Sequence, residues 1–450
     1  MNILLCESHY RSRSWVKALE KNKNLHILSV LTEEYNLFLD MGIPKNRICN
    51  LNPKNLKLNQ KLSNIITFLN DFEKDYSLNI NKYILMDRTL RTKKDNVILQ
   101  YVYNIIKREI DFIKKNKIQL IFMEATWFHE LILCKIAHKL KIPVLVPVRD
   151  KIISDKFYFF YGENREHYFK RPQHTKKIKE INSQQETPYY NYFLKRNKIT
   201  INKIIIFFRL LRLSVLDYNN PFIQAPFYKQ ISVKIFSIFR QIFFKFYLNF
   251  YHPKFDEKFI LIPLHVQPEA GIDVIGEKFS NQLEFIRQIA RTTPVNFKIY
   301  VKEHPHDFGR RKLNFYRRLE EMPSVKLINP YFSNKILIQN AEVIISVAGT
   351  TSLEASILGK KAVTAAKSQF NQIMIKPSFD PFNEEVNELV NNRIKSNPYK
   401  NKLYLKKLQE NLFEGKIMDS KVDKSVMDPE NIQKLQDAFN EVINFYKLYK

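Results

Sequence analysis

The chain has 450 residues, 45% of them hydrophobic, with 73 Lys and Arg against 45 Asp and Glu and a formal net charge of +28. That length and composition exclude a disordered chain and allow two or three domains, each with its own core. The charge favours phosphates, nucleic acid or an anionic membrane surface as partners, although a chain rich in Lys, Asn and Ile throughout also gains such charge by compositional drift.

The opening "MNILLCESHYRSR" has too short an apolar run for a signal peptide, and no uncharged run reaches the roughly 18 apolar residues of a membrane span. Three distant cysteines, Cys6, Cys49 and Cys134, give neither a disulfide framework nor zinc-ligand spacing and suit a reducing compartment. A cytoplasmic protein is expected, with attachment to the inner face of the membrane left open.

Apolar runs at 2–6, 26–31, 47–51, 83–87, 119–124 and 143–148 predict strands. Several lack period-two alternation, as strands covered on both faces do. The stretches "VILQYVYNIIKREIDFIKKN" and "HELILCKIAHKL" predict helices between the later ones, which is the alternation of a parallel α/β sheet. Polar groups stand at the strand ends. Ser8, His9 and Arg11 follow the first, and Asp87 and Arg88 end the fourth, where they can pair with each other. Glu124 ends the fifth, ahead of Thr126, Trp127 and His129. A carboxylate there can act as a general base, or can equally cap or pair with the helix that follows.

Residues 156–255 match neither α/β block, and 164–190 reads as a solvated loop. From 230 to 249, Gln230, Lys234, Ser237, Gln241 and Lys245 recur at helical spacing on a largely apolar background. This predicts a basic amphipathic helix that either lies in a membrane interface or packs between two domains.

A second α/β block follows, with strands at 259–264, 297–301, 325–328, 343–347 and 361–366 and helices at "SNQLEFIRQIART" and "TSLEASILGK". The fold class expected is α/β: a Rossmann-like domain at 1–155, a basic aromatic-rich insertion at 156–255, a second Rossmann-like domain at 256–400, and a helical tail at 401–450 packing back across them. Ligands of such sheets bind at the carboxyl ends of the strands.

Three of those ends in the second block are rich in polar groups. His265, Gln267 and Glu269 follow the first strand, and Lys302, His304 and His306 the second. Gly349, Thr350, Thr351 and Ser352 follow the fourth and open a helix. A glycine turn, helix-start N–H groups and hydroxyls can hold a phosphate, with Glu354 one turn in to accept ribose hydroxyls; an ordinary N-cap is the plainer reading. His304 can donate to a nucleotide phosphate while Lys302 supplies charge. Arg310 and Arg311 read as solvated.

The segments "FILIPLHVQPEAGIDVIG", "FKIYVKEHPHDFGRR", "FYRRLEEMPSVKLINP" and "VAGTTSLEASILGKKAV" resemble, in order and spacing, the bacterial capsule polysaccharide biosynthesis family. The resemblance covers about 255–375, with a looser pattern at 85–88 ("LMDR") and 122–147. It implies a GT-B-like fold, two Rossmann-like domains facing a central cleft, and a surface-polysaccharide glycosyltransferase of the group that includes the Kdo transferases of capsule linkers. The C-terminal domain would hold a nucleotide-sugar, a CMP-sugar among the candidates, and the N-terminal domain a glycan or lipid-linked acceptor. Neither cofactor nor bound metal is implied, because protein groups take the phosphate charge. By their strand-end positions, Glu124 is expected to be the base and Glu269 a donor-positioning group, with Glu269 or Asp87 next in line as the base. Members often carry a second glycine after the Gly-Thr pair; here Thr351 and Ser352 stand instead. The rival readings are a teichoic-acid-like polyol-phosphate transferase, which also uses a His-Pro pair after a strand, and a non-enzymatic basic membrane-surface protein. No nucleic-acid-binding signature is present.

Overall fold

The computed structural model describes residues 1–6, 13–53, 60–153, 155–172, 220, 227–367, 370–376, 378–391, 397–420 and 423–448, with backbone alone at 227–235. Ser8, His9, Arg11 and most of the expected loop at 164–190 lie outside them. The chain divides into two α/β units, one comprising Met1–His174 with Asn411–Lys450, the other Tyr228–Glu410.

The first unit carries β1 (Ile3–Cys6), α1 (Arg13–Leu19), β2 (Leu25–Ser29), β3 (Ile48–Asn50), α2 (Ile80–Met86), α3 (Asp95–Lys115), β4 (Leu120–Phe122), α4 (Phe128–Lys139), β5 (Val144–Arg149) and β6 (Lys156–Tyr161). In the second stand α5 (Phe227–Tyr247), β7 (Phe259–Pro263), α6 (Gln282–Thr292), β8 (Lys298–Lys302), α7 (Leu313–Glu320), β9 (Val325–Ile328), β10 (Val343–Ser346), α8 (Thr350–Ile357), β11 (Lys361–Thr364) and α9 (Pro398–Gln409). Strand β12 (Phe413–Glu414) and helix α10 (Pro429–Leu448) belong again to the first unit.

The first sheet runs β12-β6-β5-β4-β1-β2-β3 and the second β11-β10-β7-β8-β9. The second is parallel throughout, and the first is parallel from β5 to β3. Counted within its own unit, each parallel core has the order 3-2-1-4-5, so its direction of winding reverses between β1 and β4 in one sheet and between β7 and β10 in the other. Ligands of doubly wound sheets sit at that reversal, beyond the carboxyl ends.

Two sequence readings change. The run at 83–87 is not a strand but the end of α2. Ile80, Tyr83 and Ile84 are buried at helical spacing, while Leu85, between two buried neighbours, is 61% exposed. A short apolar run cannot separate the two periods by itself. The second change concerns Lys156–Tyr161, read with the insertion on composition. It is β6, antiparallel to β5, with β12 paired to its other edge, and Phe157 to Phe160 are all buried, Phe159 against Phe413 and Phe439 on one face and Phe160 against Tyr158 and Tyr168 on the other.

The tail helix α10 completes the first core. Phe439 lies 4.8 Å from Phe122, 5.2 Å from Phe159 and 6.2 Å from Trp15, ring centre to ring centre. Arg171 ties the same helix down through Glu441, with its Nε donating at 2.7 Å.

Candidate functional site

The reversal point of the second sheet is where its polar residues meet. Just beyond β7 stands His265, whose Nε2 accepts a hydrogen bond from the backbone N–H of Ala348, two residues past β10, at 3.2 Å. Accepting there puts the neutral ring's proton on Nδ1. Gly349 follows, and a Cβ on it would stand 3.3 Å from the Ser346 side chain and 3.4 Å from the His265 ring. A side chain here would press on both by a few tenths of an ångström.

The loop after β7 is built on buried amides and carboxylates. Gln282 accepts from the His265 N–H at 2.8 Å and donates to the Gln267 side chain at 3.1 Å. Buried Asp273 accepts from Gln267 Nε2 at 3.1 Å and from the Glu269 backbone N–H at 3.0 Å. Glu269 itself is exposed. Sequence reasoning passed over Gln282 and Asp273. Their signal was weak: Asp273 is one polar residue in an otherwise apolar turn, and Gln282 is one of several polar residues in its helix.

The loop after β8 answers why a buried strand ends in so many ionisable groups. Glu303 is fully buried and accepts from the His304 backbone N–H and from Arg311 Nε, each at 2.7 Å, and from the Tyr316 hydroxyl at 2.9 Å. Arg311 also faces Asp307 at 3.3 Å and donates to the carbonyl of His265. It is not solvated, as its sequence suggested, but is the cation that lets Glu303 and Asp307 be buried, since an unpaired charge there costs several kcal/mol. The signal was the spacing of Glu303, Asp307 and Arg311 by fours.

Lys302 is the exception. It is 4% exposed, and among the described residues its ammonium has no hydrogen bond or ion pair. Burial pulls that ammonium down to about 8, against which neighbouring Glu303 works only in part. Burial likewise lowers His304 to about 4, helped by the charges of His306, Lys302 and Arg311, and His265 to about 4, helped by His304 and Arg311. Both rings are neutral at pH 7. His304 Nδ1 accepts from the His306 N–H at 3.1 Å, so Nε2 carries its proton and is a donor.

At the start of α8 the hydroxyls part company. Thr350 is exposed and Thr351 half-buried. Ser352 is fully buried, donates to the Val363 carbonyl at 3.0 Å and lies 2.7 Å from the Ser346 hydroxyl, which in turn accepts from the Gly349 N–H at 3.2 Å. The expectation that Ser352 binds phosphate is therefore corrected: its oxygen is committed to holding β10, α8 and β11 together. Glu354, one turn in, is mostly covered, and burial raises its carboxyl above the ordinary range.

In the first unit, Asp87 is no free strand-end acid. It accepts from the N–H groups of Thr89 and Leu90 at 2.8 Å and of Phe128 at 2.9 Å, joining the end of α2 to the start of α4. Glu130 likewise accepts from the N–H groups of Thr126 at 2.7 Å and Trp127 at 3.1 Å. Arg88, read as a partner for Asp87, stacks 4.0 Å from the Trp127 ring centre. Glu124 is half-buried beyond β4, and its carbonyl accepts from Arg165 at 2.9 Å.

The class defined by these features is a two-unit Rossmann-like α/β protein, the pair of units from which a GT-B fold is made. Its second unit gathers Lys302, two neutral histidines and a glycine turn at the strand ends of the reversal point. Residues 170–376 match the family described as "Capsule polysaccharide biosynthesis protein", and that stretch contains every second-unit site residue named above. No curated protein matches the chain. Among solved structures, the UDP-GlcNAc 2-epimerase of Methanocaldococcus jannaschii is similar at 16% identity, with 91% of this chain and 99% of that one covered and a TM-score of 0.26. KpsC of Thermosulfurimonas dismutans, a beta Kdo 2,7 transferase, is similar at 13% identity, with 73% and 90% covered and a TM-score of 0.35.

Proposed function

We propose that the protein is a glycosyltransferase, moving a sugar from a nucleotide-activated donor to a capsule or other surface-polysaccharide acceptor. The observation that carries this reading is Lys302, a lysine only 4% exposed whose ammonium tip reaches the surface with no hydrogen bond or ion pair among the described residues, at a strand end beside a histidine donor. Burying a cation costs free energy, and a phosphate would repay it with a charge-assisted hydrogen bond.

In this reading the donor's phosphates lie against Lys302, His304 and the turn at Gly349–Thr351, and Glu354 takes the ribose. His265 and Gln267 shape the loop, and Glu269 orients the donor sugar. Glu124, in the first unit, takes the proton of the acceptor hydroxyl. That hydroxyl's oxygen forms the bond to the anomeric carbon as the bond from that carbon to the phosphate oxygen breaks, and the phosphate leaves with the electron pair. Protein cations rather than a bound metal stabilise the leaving charge. The work is cytoplasmic, on an acceptor that is a glycan or a lipid-linked glycan, with an anionic membrane surface as a further partner.

The test is a thermal-shift screen of nucleoside mono- and diphosphates, because a ligand that binds only the folded state raises its melting temperature. One or more nucleotides should raise it, and Lys302→Met should remove the effect. A flat screen with a folded protein would sink the reading.

A further inference from the structure

Helix α5 is mounted the wrong way round for a water-soluble surface. Its polar residues face the protein: Gln241 Nε2 donates to the Phe308 carbonyl at 2.8 Å. Gly309, at φ +85°, comes so close that a Cβ would lie 2.5 Å from the Ser237 carbonyl. Phe244, on the same side, is buried against Tyr316, 5.4 Å between ring centres. At 100° per residue, Phe239, Ile242, Phe243 and Phe246 then point outward. They are exposed, Phe239 at 65% and Phe246 at 87%. An ordinary surface helix has the reverse arrangement, and contiguous exposed apolar side chains of this kind mark an interaction surface.

We infer that the outer face of α5 docks on an anionic lipid bilayer, with the phenylalanines in the boundary between headgroups and acyl chains. Two observations select that occupant. Arg240 and Lys245 flank the aromatic face, one on each side, while residues 227–250 contain no Asp or Glu. A second copy of the same chain would bring another +28 of formal charge to the contact, whereas anionic headgroups complement it. Among the described residues no helix is long and apolar enough to cross a membrane, so this face would lie on the bilayer rather than span it. The inference rests on the membrane placement in the proposed function but not on its chemistry.

The experiment uses the full chain with phosphatidylcholine vesicles, with and without phosphatidylglycerol, and follows co-sedimentation. Wild type should bind the anionic vesicles, and at least tenfold more weakly when salt is raised to about 0.5 M. The double variant Phe239→Ser with Phe246→Ser should bind at least tenfold more weakly than wild type at low salt. It should keep its melting temperature, because both side chains are exposed. Phe246→Trp supplies an independent reading. Trp15 and Trp127 are buried, so a blue shift and quenching by brominated acyl chains would report the new indole. Wild type that ignores anionic vesicles overturns the inference, as does a double variant that binds like wild type. A dimer that the double variant dissociates would also overturn it, by assigning the face to a second copy. Nucleotide binding is measured separately on the same samples, so a failed transferase reading is distinguishable from a failed membrane one.

Discussion

Replacing Lys302 by Met should make the protein more stable and bind its ligand less well. The side chains are similar in length, so little packing is lost, and the buried charge disappears. The ammonium's fall from 10.5 to about 8 measures how much the folded protein disfavours the charged form. At about 1.4 kcal/mol for each tenfold in proton affinity, holding Lys302 charged costs roughly 3 kcal/mol at pH 7. For a unit of this size that is a rise of several degrees, at about 2–4 °C per kcal/mol. The sign with pH follows from linkage. Below pH 8 the lysine is charged in both folded and unfolded states and the whole cost is present. Between 8 and 10.5 the folded state sheds the proton while the unfolded state keeps it, so the cost fades and the variant's advantage with it. Thermal melts of both proteins from pH 7 to 10, with and without nucleotide, make the measurement. A Lys302→Met variant that is less stable than wild type at pH 7, or that binds nucleotide as tightly, would rule out a costly charge held here for a ligand.

Four further outcomes are expected. His304→Ala should weaken nucleotide binding by roughly ten- to a hundredfold, the loss of one charge-assisted hydrogen bond, as read by calorimetry on a folded variant. Ser352→Ala should do the opposite of a phosphate ligand's removal: stability falls by about 1–3 kcal/mol, because buried partners lose their bond, while nucleotide affinity holds. His265 and His304, both held near 4, keep the folded state neutral where unfolded histidine is charged below about 6.5. Their contribution is present above pH 6.5 and is lost as pH falls towards 4, so acid melts should flatten in that window when either is replaced by Gln. Phe439→Ala should cost the first unit about 3–5 kcal/mol in a denaturant titration and leave nucleotide affinity unchanged.

The strands of the second unit were legible because both faces of a parallel sheet are covered, which writes them as unbroken apolar runs. FILIP, KIYVK, VKLI, VIIS and KAVT all sit within a residue or two of where those runs stand. The same logic misread the run at 83–87, where four apolar residues in a row hid a helical period that only Leu85's exposure reveals. Site residues facing a ligand were easier to find than the residues behind them. Lys302 and His304 announce themselves at a strand end, whereas Arg311, Asp273 and Gln282 act through partners eight, six and seventeen positions away. Ser352 shows the limit from the other side: a hydroxyl at a helix start reads the same whether it faces solvent or the core. The α5 pattern was visible, but not which face lay inward. Gln241 and Gly309 decide that, and their meeting is a tertiary fact.

Sugar transfer from a nucleotide shows itself in the bond that is made. The purified protein is given a panel of nucleotide-sugars, CMP-sugars included, with a glycolipid acceptor, and the product is analysed by mass spectrometry and phosphorus NMR. A glycosyltransferase releases nucleotide and leaves an acceptor heavier by one sugar residue joined through a glycosidic bond, a product lost in Glu124→Gln. A product joined by a phosphodiester, with phosphorus retained in the acceptor, would contradict it.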